Sequence, residues 1–153
     1  MIDKKERSQA PGGRTRRRPS QADYEALAEL RYQIRRFLEF SENAARAVGL
    51  TPRQHQALLA IKGFPSGAAA AIGDLAERLS IRHHSAVELV DRLAEAGLVA
   101  RSADASDQRR VLVRLTERAE THLAELSLAH LDELARIEPV LKKVLSRKAT
   151  RET

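Results

Sequence analysis

The chain has 153 residues, 42% of them hydrophobic and 31% charged, with a net charge of +6, no cysteine and only five aromatic side chains. That length fits one domain with a real core, built mainly from Leu, Ala, Val and Ile, a mixture that favours helices. The lack of cysteine excludes a disulfide framework, a thiolate metal site and cysteine-based redox sensing; with no run near the roughly 18 apolar residues of a membrane span and no signal-peptide apolar region, a soluble cytoplasmic protein is expected.

The charge is unevenly spread. Residues 1–20 hold seven basic and two acidic side chains, and residues 142–153 hold five and one. The body between them has 15 basic against 18 acidic. An anionic partner must therefore be met by local patches and by the tails, not by a uniformly basic surface.

Residues 1–20, with "PGG" and "RTRRRPS", have no apolar periodicity and read as a disordered basic arm, either a solubilising tail or a segment that touches nucleic acid. From Ala22 to Val48, the residues Leu27, Leu30, Ile34, Phe37, Leu38, Ser41, Ala45 and Val48 recur at three- and four-residue steps, which predicts one long amphipathic helix ended by Gly49. Thr51-Pro52 opens a second helix as cap and first-turn proline; it runs through Leu58, Leu59 and Ile61 to Gly63. "GFPSG" is a loop. A short helix over Ile72–Leu79, a tight turn at Ser80–Arg82 and a helix from His83 to Ala96 follow, the last capped by Gly97. Leu98–Arg101 and Val111–Leu115 flank a polar nine-residue loop and predict a hairpin. Thr116 starts a long final helix, which Pro139 should break or kink, leaving Val140–Ser146 as a terminal turn or two.

Helix, turn, helix, hairpin is the order of a winged helix-turn-helix. Leu75, Ala76, Leu79, Ile81, Ala86, Leu89, Val90 and Leu93 form the packed face, and small Ala76 lets the two helices approach. The second helix then presents Arg82, His83, His84, Ser85 and Glu88 outward, where a helix-turn-helix meets base edges in the major groove. Alone, this pattern also fits a plain helical pair. The hairpin carries the argument further. A purely structural hairpin would gain from a two-residue Asn-Gly or Asp-Gly turn, whereas here a long loop ends in Arg109 and Arg110. Guanidinium suits phosphate and the narrow minor groove of A/T-rich DNA, and Asp107 can bond to the loop backbone as an Asx turn and orient Arg109.

With these residues in view, about Ala22 to Ser146 resembles the MarR family of bacterial transcriptional regulators. The resemblance is carried by "LTPRQHQALLAI", by "IGDLAERLSIRHHSAVELVDRLAEAGLV", and by Asp107-x-Arg109 followed by Leu115-Thr116. It implies a mainly α fold with a small β-hairpin wing, a lobe over 49–116 that binds double-stranded DNA, and terminal helices over 21–48 and 117–150 that pair two copies. It further implies a pseudo-palindromic operator, wing arginines in minor grooves, and in many members release by a small phenolic or aromatic acid bound between the dimer helices and the lobe. Arg82 and His83 stand where the family commonly has Ser and Pro, and Val87 and Glu88 where Ser and Arg are frequent. His55 stands where an apolar or aromatic residue is usual. Beside Phe37 and Phe40 it offers flat walls and one polar group, the combination an aromatic acid needs, although a satisfied core or interface histidine is the simpler reading. Leu123, Leu126, Leu131, Leu134, Ile137, Leu141 and Leu145 supply more apolar surface than the lobe covers, which points to a homodimer.

Two other classes compete. A small enzyme would be one without a recognisable motif, since there is no H-E-x-x-H, phosphate-binding glycine loop or nucleophile elbow. Adjacent His83 and His84 point about 100° apart on a helix and cannot chelate one ion together. His122 and His130 lie two turns apart and read as partly buried or surface histidines. No metal or cofactor is expected. A winged helix that binds protein would carry a neutral or acidic wing tip, against which Arg109 and Arg110 argue.

Overall fold

The computed structural model describes residues 18–149, and most of the basic arm expected over 1–20 therefore lies outside it. Of that segment, Ser20 belongs to the fold: it is the N-cap of helix α1 (Gln21–Ala47), its hydroxyl accepting from the Asp23 N–H while the Asp23 carboxylate accepts from the Ser20 N–H. Thr51 and Gln54 form the same reciprocal cap for α2 (Pro52–Lys62), with Pro52 in the first turn, where its missing N–H costs nothing.

After a single 3₁₀ turn at Pro65–Gly67 the chain forms β1 (Ala70–Ala71), α3 (Ile72–Arg78), α4 (His83–Glu95), β2 (Val99–Ala103), β3 (Val111–Leu115) and α5 (Glu117–Ala149). The turn between α3 and α4 closes with the Ser80 N–H on the Glu77 carbonyl and the Ile81 N–H on the Ala76 carbonyl, which needs a left-handed residue at Ser80 (φ 52°). That conformation costs a non-glycine residue about 1–2 kcal/mol. Burial of its neighbours offsets it. Gly97 (φ 68°) closes α4 in the same way without that cost.

The hairpin expected from sequence is part of a three-stranded antiparallel sheet in the order β1-β3-β2. Val99 pairs with Leu115 and Ala103 with Val111, so β2 runs two residues beyond its expected end and the loop shortens to residues 104–110. On the other edge, Ala70 and Ala71 pair with Val113 and Leu112. Alanine has little strand propensity and "AAAAIGD" reads as the approach to a helix. Here the open edge of β3 recruits the segment.

One core joins α2, α3, α4, the sheet and the first turns of α5. Leu58, Leu75, Val90, Leu93 and Val113 are its largest fully buried members. Leu123, Leu126 and Ile137, expected to need a second chain, are buried within this one. Leu131, Leu134 and Leu145 remain exposed on α5 together with Leu128; on α1, Tyr24, Leu27, Ile34 and Leu38 are exposed.

Pro139 does not break α5. It removes one N–H, which would have bonded to the Ala135 carbonyl, but Ala135 and Pro139 both lie on the exposed side, where water can take that carbonyl. Buried Ile137 and half-buried Val140 hold the neighbouring face, and α5 packs along α1. Among the described residues no helix is long and apolar enough to cross a membrane.

Candidate nucleic-acid interface

Helix α4 buries Ala86, Leu89, Val90 and Leu93 against α3 and β2, so its opposite face must point outward. Arg82 at its N-cap, His83, His84 and Glu88 are exposed, and Ser85 is half-buried at the edge of the packed face. The sequence expectation for these five residues thus places them on one surface, at the positively polarised N-terminal end of the helix.

The wing tip differs from its expectation. Asp107 forms the Asx turn, its Oδ1 accepting from the Arg109 N–H at 3.0 Å, and the Arg110 N–H donates to the Asp107 carbonyl at 2.9 Å. Arg109 is exposed, and among the described residues no hydrogen bond or ion pair holds its guanidinium. Arg110 does not share the tip. Its guanidinium turns inward, with Nη2 3.3 Å from Asp74 Oδ2 at the start of α3 and Nη1 3.7 Å from Asp104 Oδ2 across the loop. Adjacent residues entering a strand face opposite ways, so the pair divides into one cation without a partner among the described residues and one half-exposed cation paired to carboxylates.

Sequence reasoning missed Asp74, Asp91, Arg101 and Asp104. Asp74 also accepts from the Ala71 N–H at 2.9 Å, capping α3. Arg101 of β2 forms an ion pair with Asp91 of α4, fastening the wing's root to the outward-facing helix. The Ser106 N–H and hydroxyl hold the Asp104 carboxylate below its ordinary pKa, and Arg110 adds to this. Between α4 and the wing lies a cavity of about 670 Å³, with His83 and Val87 among its lining on one side and Arg101, Arg109 and Arg110 on the other.

A second cluster forms where α1, α2 and α5 meet, and it gathers the expected ligand residues around an unexpected one. His55, only 4% exposed, lies 4.8 Å from His130 between ring centroids; Phe37 and Phe40 meet the same His130 ring edge-on at 5.7 and 5.4 Å. His130 Nδ1 is 2.6 Å from the Leu126 carbonyl, which can only accept, so Nδ1 carries the proton. In the neutral ring Nε2 then accepts from the Ser41 hydroxyl at 2.7 Å. The signal for this contact was present: Ser41 is a polar residue inside the apolar stripe of α1, and His130 follows Leu123 and Leu126 at helical spacing.

Comparison with known proteins places the fold and the family. Residues 48–110 match the model of the MarR family. The chain is 32% identical over 113 residues, 73% of its own length and 71% of the relative's, to YcgE of Bacillus subtilis (strain 168), described as an uncharacterized HTH-type transcriptional regulator. Among solved structures, a MarR family protein from Bacillus stearothermophilus superposes with a TM-score of 0.69 at 24% identity, covering 86% of this chain and 95% of that one. A mutant of S. aureus MepR bound to an oligodeoxyribonucleotide superposes with a TM-score of 0.63 at 18% identity, covering 85% and 98%.

The His55 cluster makes a pH prediction. Burial, with the neighbouring His130 adding to it, lowers the His55 pKa from its ordinary 6.5. The unfolded chain then takes up this proton first as pH falls. Stability from neutral His55 is therefore full above about pH 6.5, declines below it, and levels off once the folded protein is protonated too. Urea unfolding followed from about pH 8 to about pH 5 should show the parent losing more stability than His55→Phe. Parallel curves for the two proteins would show that His55 is not responsible.

Proposed function

The chain belongs to the MarR family of transcriptional regulators, and from that membership we propose that it acts as a dimeric, sequence-specific repressor released from its operator by a small aromatic acid. The observation that carries the DNA half of this reading is the wing. An Asx turn presents Arg109, without an ion-pair or hydrogen-bond partner for its guanidinium among the described residues, beyond the exposed end of α4. In this reading Arg82, His83, His84, Ser85 and Glu88 meet base edges in a major groove while Arg109 enters the adjacent minor groove. MepR, which shares the fold, is bound to an oligodeoxyribonucleotide in its structure, and this supports DNA as the partner.

Selection from random DNA should return a pseudo-palindrome with half-sites about one helical turn apart, roughly 34 Å. On that site Arg109→Ala should weaken binding by about 1–3 kcal/mol per half-site with a shallower salt dependence, because a groove-seated charge is lost. His84→Ala or Ser85→Ala should instead change which bases are preferred. Unchanged affinity of Arg109→Ala at physiological salt would remove the wing from the interface.

The dimer follows from what the single chain leaves uncovered. Tyr24, Leu27, Ile34 and Leu38 on α1 and Leu128, Leu131, Leu134 and Leu145 on α5 are 39–69% exposed, a patch that water penalises and a two-fold partner can bury. Sedimentation at about micromolar concentration should show dimer alone. A stable monomer that binds operator DNA would refute the pairing.

The release half rests on the cluster at the junction of the lobe and the terminal helices. A flat acid that displaces the His130 ring from between Phe37, Phe40 and His55 would gain apolar walls and an imidazole partner. It would move α2 against α5, and it acts only through its higher affinity for the displaced state. In a promoter–operator reporter the protein lowers transcription and a releasing aromatic acid restores it. His55→Phe should still repress but no longer respond. A releasing compound that acts equally on parent and variant would take His55 out of the sensor.

A further inference from the structure

Within the wing, residues 104–110 are closed by their own bonds: the Asp104 N–H donates to the Arg110 carbonyl at 3.0 Å, and Asp104 and Asp107 brace the turn. These contacts shape the loop but do not say where it stands. Among the described residues, Asp74–Arg110 is the one hydrogen bond or ion pair that joins this loop to an element outside the wing. Asp74 Oδ2 accepts at the same time from the Ala71 N–H, and Ala71 pairs with Leu112 beside the loop. One carboxylate oxygen therefore ties the start of α3, the edge strand and the wing together.

The charges have a sign that calls for explanation. Two carboxylates, Asp74 and Asp104, flank one guanidinium on the side of the molecule that carries Arg109 and the exposed face of α4. Carboxylates facing phosphate oppose binding, and the half-exposed Arg110 guanidinium between them offsets their charge. A clasp accounts for the arrangement, since fixing Arg109 is worth more than a third loose charge when its fork must enter a narrow groove.

We propose that Arg110 is a positioning residue: clasped between Asp74 and Asp104, it fixes the wing relative to α3 and α4 and so sets where Arg109 meets DNA. This rests on the reading that the wing and α4 face an operator.

The test measures operator affinity of the full-length protein carrying Arg110→Gln or Asp74→Asn, each made in the parent and in Arg109→Ala. Asparagine keeps an acceptor for the Ala71 N–H, so α3 retains its cap. Because the clasp acts through Arg109, each substitution should weaken binding roughly three- to tenfold in the parent and less than about twofold once Arg109 is absent. Amide relaxation of the free protein should show a more mobile loop in both variants. Tighter binding by Asp74→Asn, the result expected if Asp74 only repels DNA, overturns the proposal. So does a full further loss from Arg110→Gln in the Arg109→Ala background, which would mean that Arg110 touches DNA itself. A loop as ordered in Arg110→Gln as in the parent also overturns it, whatever the DNA result. A parent that selects no DNA sequence fails the regulator reading instead, before any variant is compared.

Discussion

Ala86, Leu89, Val90 and Leu93 form the apolar stripe of α4, and their burial against α3 and β2 leaves the helix one way to lie. A 13-residue helix is marginal by itself. Truncating a buried leucine such as Leu93 costs about 2–5 kcal/mol, whereas an exposed ion pair contributes under about 1 kcal/mol. Packing, not surface charge, thus decides which way His83, His84 and Glu88 point. The left-handed Ser80 is tolerated for the same reason: the turn it closes delivers Ile81 and Ala86 to the core.

The wing uses its charges in two ways. Asp107 bonds to the backbone of Arg109 and not to its guanidinium, while Asp74 and Asp104 pair with the guanidinium of Arg110, which stays about half-exposed. Two adjacent arginines of the same type therefore do opposite work, one reaching outward and one holding the hairpin on its base. The Asp91–Arg101 pair does for β2 what Asp74–Arg110 does for the loop, so both ends of the wing are referred to the helix pair. A rigid reference of this kind matters where a groove-reading side chain must be placed to within a fraction of its own width.

His130 plays a comparable part at the other end of the lobe. It bonds to Ser41 of α1 and to its own helix and meets the His55 ring of α2 at a tilt, so the terminal helices and the lobe share a polar contact inside an otherwise apolar junction. Lys62–Glu120 at 2.6 Å joins α2 to α5 as well, but that pair is half-exposed and screened. The imidazole pair of buried His55 and half-buried His130 is the more consequential link, because any change in its packing is felt by three helices at once.

Local chemistry in the sequence was enough for where each α-helix begins, for the caps at Thr51 and Thr116, for the left-handed turns at Gly49 and Gly97 and for the packed stripe of α4. These signals act over a few residues, by periodicity, capping and backbone freedom. The Asx turn at Asp107 was legible on the same grounds. Tertiary structure alone decided the features that depend on residues distant in the chain. Ala70–Ala71 becomes a strand because β3 has an open edge, not because alanine prefers one. Pro139 sits inside an unbroken α5 because its neighbours pack on α1 while the orphaned carbonyl faces water. Leu123 and Leu126 are core because the lobe folds over them, leaving Leu128, Leu131, Leu134 and Leu145 exposed. Arg110 faces inward because Asp74, 36 residues earlier, is brought beneath it. A one-dimensional pattern shows that two arginines are adjacent. Only the fold shows which one has a carboxylate waiting.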